Sequence, residues 1–316
     1  MENLSAKGVL PLFHCRLRGA FIIILLFIAT ASAPSLSEAG PKRIISVTPV
    51  GTEILFALGQ GQNIAGVTSF CDYPPEALKK PKIGGYSDIN FEALVAQRVD
   101  LVVLQDMHSQ SIPDLEKLKI PYFVVKQENI SDIYKAVDGL GKICGASKKA
   151  ELIVAGMKKD IAAISKKVNG RPRPSVLLCV SRELSGNVIP AFYAAGTRNF
   201  YNEVISLAGG ENVMGKTKSV VTYHKISQEG LALIDPNVIV DLVGEAKYYH
   251  SADKIDINKV FNEKYLKGQW LSGVKVKAVR DGRIYIMDGT VFLRPGPRLP
   301  FIIKSFAKAL HPEVKW

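Results

Sequence analysis

The chain has 316 residues, of which 47% are hydrophobic and 22% charged, with a formal net charge of +12 and four cysteines. This is length for about two domains with cores of their own. The cysteines lack Cys-x-x-Cys spacing, which excludes a zinc ribbon or a disulfide-built framework. The basic balance does not argue for nucleic acid, because Lys148, Lys149, Lys158, Lys159, Lys166 and Lys167 are spread through amphipathic sequence and read as solvated helix faces.

At the N-terminus, Lys7, Arg16 and Arg18 precede an apolar run from Ala20 to Ile28 and then the small residues Ala29, Thr30, Ala31, Ser32 and Ala33. That three-part pattern predicts a secretory signal occupying residues 1–39, with cleavage between 31 and 39. The apolar run is short for a bilayer span, so a retained anchor is the lesser alternative. Cys15 lies before the run, where it cannot act as the lipid-bearing cysteine that follows a lipoprotein signal.

From Arg43 the pattern alternates. A strand over 43–47 leads to Thr48, a candidate cap, and to a helix ending near Gly59 with Glu53 placed in its first turn. A strand over 64–68 opens into Ser69 to Pro75; further strands are expected at 101–104 and 122–125. Between Ser147 and Val168 the apolar positions Ala150, Ile153, Val154, Met157, Ile161, Ile164 and Val168 recur every three or four residues, and Gly170 and Pro172 stop the run. That predicts one helix roughly 33 Å long, at 1.5 Å per residue. The alternation resumes with strands at 175–180, 238–242 and 283–287, a helix over 199–208 closed by Gly209 and Gly210, and a terminal helix.

Two segments repeat at a separation of 137 residues. Ile89-Asn90-Phe91-Glu92-Ala93-Leu94 runs on to Asp100-Leu101-Val102-Val103; Ile226-Ser227-Gln228-Glu229-Gly230-Leu231 runs on to Asn237-Val238-Ile239-Val240. A short helix with an acid in its first turn, followed by a buried strand, is used twice. With the long helix between the copies, the predicted fold is α/β, two small open lobes joined by one helix. The boundaries expected are 40–146 for the first lobe, 147–170 for the connector and 171–316 for the second. Lobe motion about a single helical connector should be small.

In open α/β sheets ligands sit outside the carboxyl ends of the strands, so the ligand cleft is expected between the lobes. The loops there carry Phe70, Asp72, Tyr73, Tyr86, His108, Tyr223, His224, Tyr248, Tyr249, His250, Arg294 and Arg298. Aromatic rings with a few polar tips suit a flat or bulky ligand that needs orienting hydrogen bonds. No His-Glu-x-x-His, Gly-x-Ser-x-Gly, phosphate-loop or dinucleotide pattern occurs, and the histidines are not paired at ligand spacing. No catalytic residue, resident metal or cofactor is therefore expected.

Arg43-Ile44-Ile45-Ser46-Val47-Thr48-Pro49 with Thr52-Glu53, Gly66-Val67-Thr68 through Cys71-Asp72-Tyr73-Pro74, Ile83-Gly84-Gly85-Tyr86, Asn90-Phe91-Glu92 with Asp100-Leu101-Val102, and Ala208-Gly209-Gly210-Glu211-Asn212-Val213 with Ile226-Ser227-Gln228-Glu229 together resemble the substrate-binding proteins of bacterial ABC importers for vitamin B12, ferric siderophores and haem. The likeness covers nearly the whole chain after residue 39. It implies a monomeric periplasmic protein, not an enzyme, with two lobes on a helical backbone and a metal chelate held in the cleft. It also implies docking of Glu92 and Glu229 on the permease dimer that works with its ATPase, and no nucleic acid partner. Among ligands it favours a corrinoid, with Tyr86 and Tyr223 approaching from opposite lobes. A ferric siderophore comes next and haem third, because Arg294 and Arg298 would suit carboxylates. A secreted enzyme or a sensor acting on such a chelate is the alternative.

Overall fold

The computed structural model describes residues 40–85, 91–182, 187–216, 221–244 and 262–316. The first lobe is a four-stranded, wholly parallel sheet in the order β2-β1-β3-β4, made of β1 (Ile44–Ser46), β2 (Ile64–Val67), β3 (Leu101–Gln105) and β4 (Tyr122–Val125). Its strands read as unbroken apolar runs because both faces are covered. Leu101 and Val103 of β3 pack with α1 (Pro49–Ala57) and α4 (Ile130–Ile143); Val102 and Leu104 face the other way, onto Leu94 of α2 (Phe91–Ala96) and Leu115 of α3 (Ile112–Lys117).

Helix α5 spans Ser147–Val168, as the periodicity requires, and all its expected apolar positions are buried except Ile153, which is half-buried. Ala150 and Val154 belong to the first lobe's core, whereas Met157, Ile161, Ile164 and Val168 pack into the second lobe's. Each such burial is worth about 2 kcal/mol, so one amphipathic helix fastens both lobes along its length. Ala146 is its N-cap residue, and no side chain caps the start of the helix.

The second lobe is a mixed sheet in the order β10-β9-β5-β6-β8, with β7 (Glu211–Asn212) beside β5 (Ser175–Arg182). Strands β9 (Val238–Val243) and β10 (Ile284–Asp288) run parallel to β5; β6 (Ala191–Ala195) and β8 (Tyr223–Ser227) are antiparallel additions that the sequence pattern did not announce. The connection from β5 to β6 is too short for a crossover helix, so the chain must return antiparallel. Strand β8 alternates exposed and half-buried residues at the edge and lacks the continuous apolar run of its neighbours. Asp241, inside the otherwise apolar β9, is fully buried and accepts hydrogen bonds from Arg182 and from Trp270 of α8 (Glu263–Leu271), each at 2.8 Å.

The sequence repeat is a structural repeat. Helix α2 begins at Phe91 and α7 (Gln228–Ile234) begins 137 residues later; β3 and β9 begin at Leu101 and Val238 with the same separation. Helix α6 (Phe200–Leu207) and the terminal helix α9 (Leu299–Leu310) complete the layer that packs on α5. Cys71, Cys144 and Cys179 are free and buried, and burial pushes the Cys144 thiol up to about 11.

Candidate functional site

A cavity of about 950 Å³ lies between the lobes at the carboxyl ends of the strands. From the first lobe it takes Gln105 at the end of β3, Asp106 and Met107, which follow it, and Gln127 and Glu128, which follow β4. The second lobe supplies Ser181 at the end of β5, Tyr193 on β6, the turn Arg198 to Tyr201, Thr222 and Tyr223 at the start of β8, and Leu293. The volume falls in the range of sites for drug-sized or larger ligands.

Hydrogen bonds fix each wall. On the first lobe, the Gln105 amide oxygen accepts from the Thr48 hydroxyl at 2.9 Å and from the Gln127 side-chain amide at 2.8 Å, which holds Gln127 at the cavity floor. Thr48, expected to cap α1 with its side chain, spends its hydroxyl on this bond instead. On the second lobe, Asn199 accepts from the Tyr201 N–H at 3.1 Å and donates to the Thr222 carbonyl at 3.0 Å. Asn212 donates to the Gly196 carbonyl at 3.0 Å, and the Gly196 N–H donates to Thr222 at 2.8 Å. A Cβ at residue 196 would lie 2.5 Å from the Val221 carbonyl oxygen, so only glycine lets this backbone approach and bring Tyr223 to the rim. The Tyr201 hydroxyl donates to the Phe292 carbonyl at 2.8 Å, setting the segment that carries Leu293.

Of the residues expected at the ligand, Tyr223 lines the cavity and His224 stands directly behind it, half-buried, with its Nε2 against Gly196. Tyr86, Tyr248, Tyr249 and His250 lie outside the described residues. The others are placed elsewhere. His108 is 1% exposed, and its Nδ1 accepts the Gln105 backbone N–H at 3.3 Å, so it closes its own turn and does not face the cleft.

Asp72, Arg294 and the Phe70 carbonyl form one cluster. The Arg294 guanidinium clasps both Asp72 carboxylate oxygens, one of them at 3.3 Å, and donates to the Phe70 carbonyl at 2.9 Å. Arg298 clasps Glu53 in the same two-pronged way, with Nε to Oε2 at 2.9 Å, and its guanidinium lies 3.7 Å from the centre of the Tyr73 ring. Both arginines come from the loop after β10 and both acids from the first lobe, so these are ties between lobes. The two arginines expected at an anionic ligand are thus engaged within the protein, because planar guanidinium forks match the carboxylates of Asp72 and Glu53. Glu53 is likewise not a first-turn helix acid. It is 3% exposed, and burial raises its carboxyl above the ordinary value despite the opposing pull of Arg298. A third tie is the Ile130 N–H at the start of α4, which donates to Glu203 of α6 at 2.8 Å.

Among the described residues, three charged side chains line the cavity: Asp106 and Glu128 on the first lobe and Arg198 on the second. All are exposed, and none makes a hydrogen bond or ion pair with a described residue. Met107, Tyr193, Tyr223 and Leu293 add apolar surface, each between 40 and 47% exposed, gathered in one concavity. Sequence reasoning named the loop that holds Asp106 and Met107 but chose its histidine. Tyr193 and Arg198 it missed, because the strand that positions them was not foreseen. Glu92 and Glu229 are exposed in the first turns of α2 and α7, away from the cavity lining; the Ser227 hydroxyl and its own backbone N–H hold the Glu229 carboxyl below the usual range.

Comparison with known proteins agrees with this architecture. An ABC transporter substrate-binding lipoprotein of Bacillus subtilis, itself uncharacterized, is 28% identical over 86% of this chain and 81% of its own. A vitamin B12-binding protein of Vibrio parahaemolyticus is 24% identical over 84% of this chain and 88% of its own. Among solved structures, a periplasmic haem-binding protein of Pseudomonas aeruginosa superposes with a TM-score of 0.70 at 22% identity, covering 87% of this chain and 94% of that one. The periplasmic vitamin B12-binding protein of Vibrio cholerae does so with 0.67 at 18% identity, covering 86 and 98%. Both show the same fold. The family model for periplasmic binding proteins matches residues 44–291, and with the two lobes, the helical connector and the cleft in place, the chain belongs to that family.

Proposed function

We propose that this chain is the extracytoplasmic receptor of an ABC importer: it captures a metal chelate between its lobes and delivers it to a permease without chemical turnover. The observation that carries the reading is the interlobe cavity, where exposed aromatic and aliphatic side chains converge with three charges that no described residue pairs. Apolar surface concentrated in a concavity marks a ligand site, and its solvent-facing rings suit a broad, flat partner. Relatives named for vitamin B12 and fold neighbours named for haem support a tetrapyrrole-like or similar chelate. A corrinoid ranks first. Ferric siderophores follow and haem comes third, because the arginines that would favour carboxylate-bearing chelates are bound to Asp72 and Glu53.

Delivery rests on Glu92 and Glu229. The repeat presents both on first-turn positions of matching helices, which suits a two-fold partner with basic docking residues. Residues 1–39 supply export. Titration of the protein lacking residues 1–39 with cobalamin, ferric siderophores and haem, followed by absorbance and tryptophan fluorescence, should give saturable binding by one class; binding by none of them refutes the ligand reading. Replacing both Glu92 and Glu229 by Ala should reduce uptake while leaving chelate affinity unchanged, and unimpaired uptake would remove these residues from docking.

A further inference from the structure

The charges in the cavity also bear on which chelates enter it, an inference that rests on the chelate reading above. Asp106 and Glu128 stand on the same wall, on adjacent strand-end loops of the first lobe, and Arg198 faces them from the second. None has a partner among the described residues. A ligand that fills the cavity displaces the water now solvating these carboxylates. If its edge presents carboxylates of its own, like charges meet in a partly dry, low-dielectric space; if the edge presents N–H groups, each protein carboxylate gains a charge-assisted hydrogen bond. Among the described residues, Arg294 and Arg298 do not add to Arg198 as free cations, since they are closed on Asp72 and Glu53.

We propose that Asp106 and Glu128 are specificity-determining residues. Among chelates of similar size they select those that turn carboxamide or amine N–H groups toward the first lobe, and they reject those that turn carboxylates there. Arg198 accommodates one anionic group on the opposite side and so orients the chelate in the cleft.

Two pairs of probes test this, each with a common ring and metal: dicyanocobinamide against dicyanocobyrinic acid, whose amides are replaced by carboxylates, and haem dimethyl ester against haem. Affinities are measured by absorbance titration for the wild type and for the Asp106→Asn, Glu128→Gln double variant. Both residues are exposed, so the variant should melt with the wild type, and the two single variants serve if it does not. The amidated or esterified member should bind at least about tenfold tighter in whichever pair binds, about 1.4 kcal/mol. In the double variant the ratio should fall below about threefold through tighter binding of the carboxylate member. Equal or tighter wild-type binding of the carboxylate member overturns the inference alone, as does a ratio that the double variant leaves unchanged. Failure of all four probes to bind overturns the chelate reading itself, and this inference with it.

Discussion

Two sets of charges cross the gap between the lobes, and they have opposite fates. Along the seam, Asp72 and Glu53 are buried and each is clasped by an arginine from the loop after β10. In the cavity, Asp106, Glu128 and Arg198 are exposed and engaged by no described residue. The first set is satisfied internally and sets the spacing of the lobes. The second is left for a partner to satisfy. Residue type does not separate them; partnership does. A guanidinium that already forks onto a buried carboxylate has its charge paired within the protein, so a ligand carboxylate would have to compete with that partner.

Breaking the seam should have the largest effect. Arg294→Ala leaves Asp72 buried without its cation and should cost about 3–5 kcal/mol of stability, measured by urea unfolding. Chelate affinity of the folded protein should change less than about threefold, under 0.7 kcal/mol. A large loss of affinity with unchanged stability would move Arg294 into the ligand site.

The cavity should respond in the opposite way. Tyr193→Ala and Tyr223→Ala should each remove about 2 kcal/mol of ligand burial, a loss of about thirtyfold in affinity by titration. Their unfolding free energies should stay within about 0.5 kcal/mol of wild type.

A smaller effect sharpens the contrast through pH. Burial holds the Glu53 proton more tightly in the folded protein than in the unfolded chain, so as pH rises just above the ordinary value of 4.5 the native state keeps a proton the unfolded chain has lost. The contribution of Glu53 to stability is therefore greatest below that window and declines across it. In Glu53→Gln that decline should vanish from the stability curve between roughly pH 4 and 7. If the wild type instead gains stability relative to the variant over that range, Arg298 outweighs burial and the pair is a stronger tie than its environment implies.

Legibility followed periodicity. Strands β1, β3, β4, β9 and β10 were readable because both faces of their sheets are covered, leaving apolar runs of strand length. Helix α4 was passed over although Ile130, Ile133, Val137 and Leu140 keep helical spacing. It carries Gly139 and Gly141, which argue against helix on propensity alone. Packing overrides propensity there, since a Cβ at residue 141 would stand 2.4 Å from that of Ala150 on α5. The motif-rich stretch around Phe70 to Tyr73 was recognisable, but its ion pairing was not: the arginines that engage this region, Arg294 and Arg298, arrive from more than 200 positions away.

The sequence by itself determined the alternation of strands and helices, the 22-residue connector and the repeated acid-tipped unit, because each is written in spacing along a single segment. It therefore determined two lobes and a cleft. Which side chains face that cleft was decided by tertiary structure alone. Pairing between distant charges engages some candidates within the protein, and an antiparallel strand on the second sheet delivers others, Tyr193 and Arg198 among them. Both depend on contacts between remote segments, which local pattern does not encode.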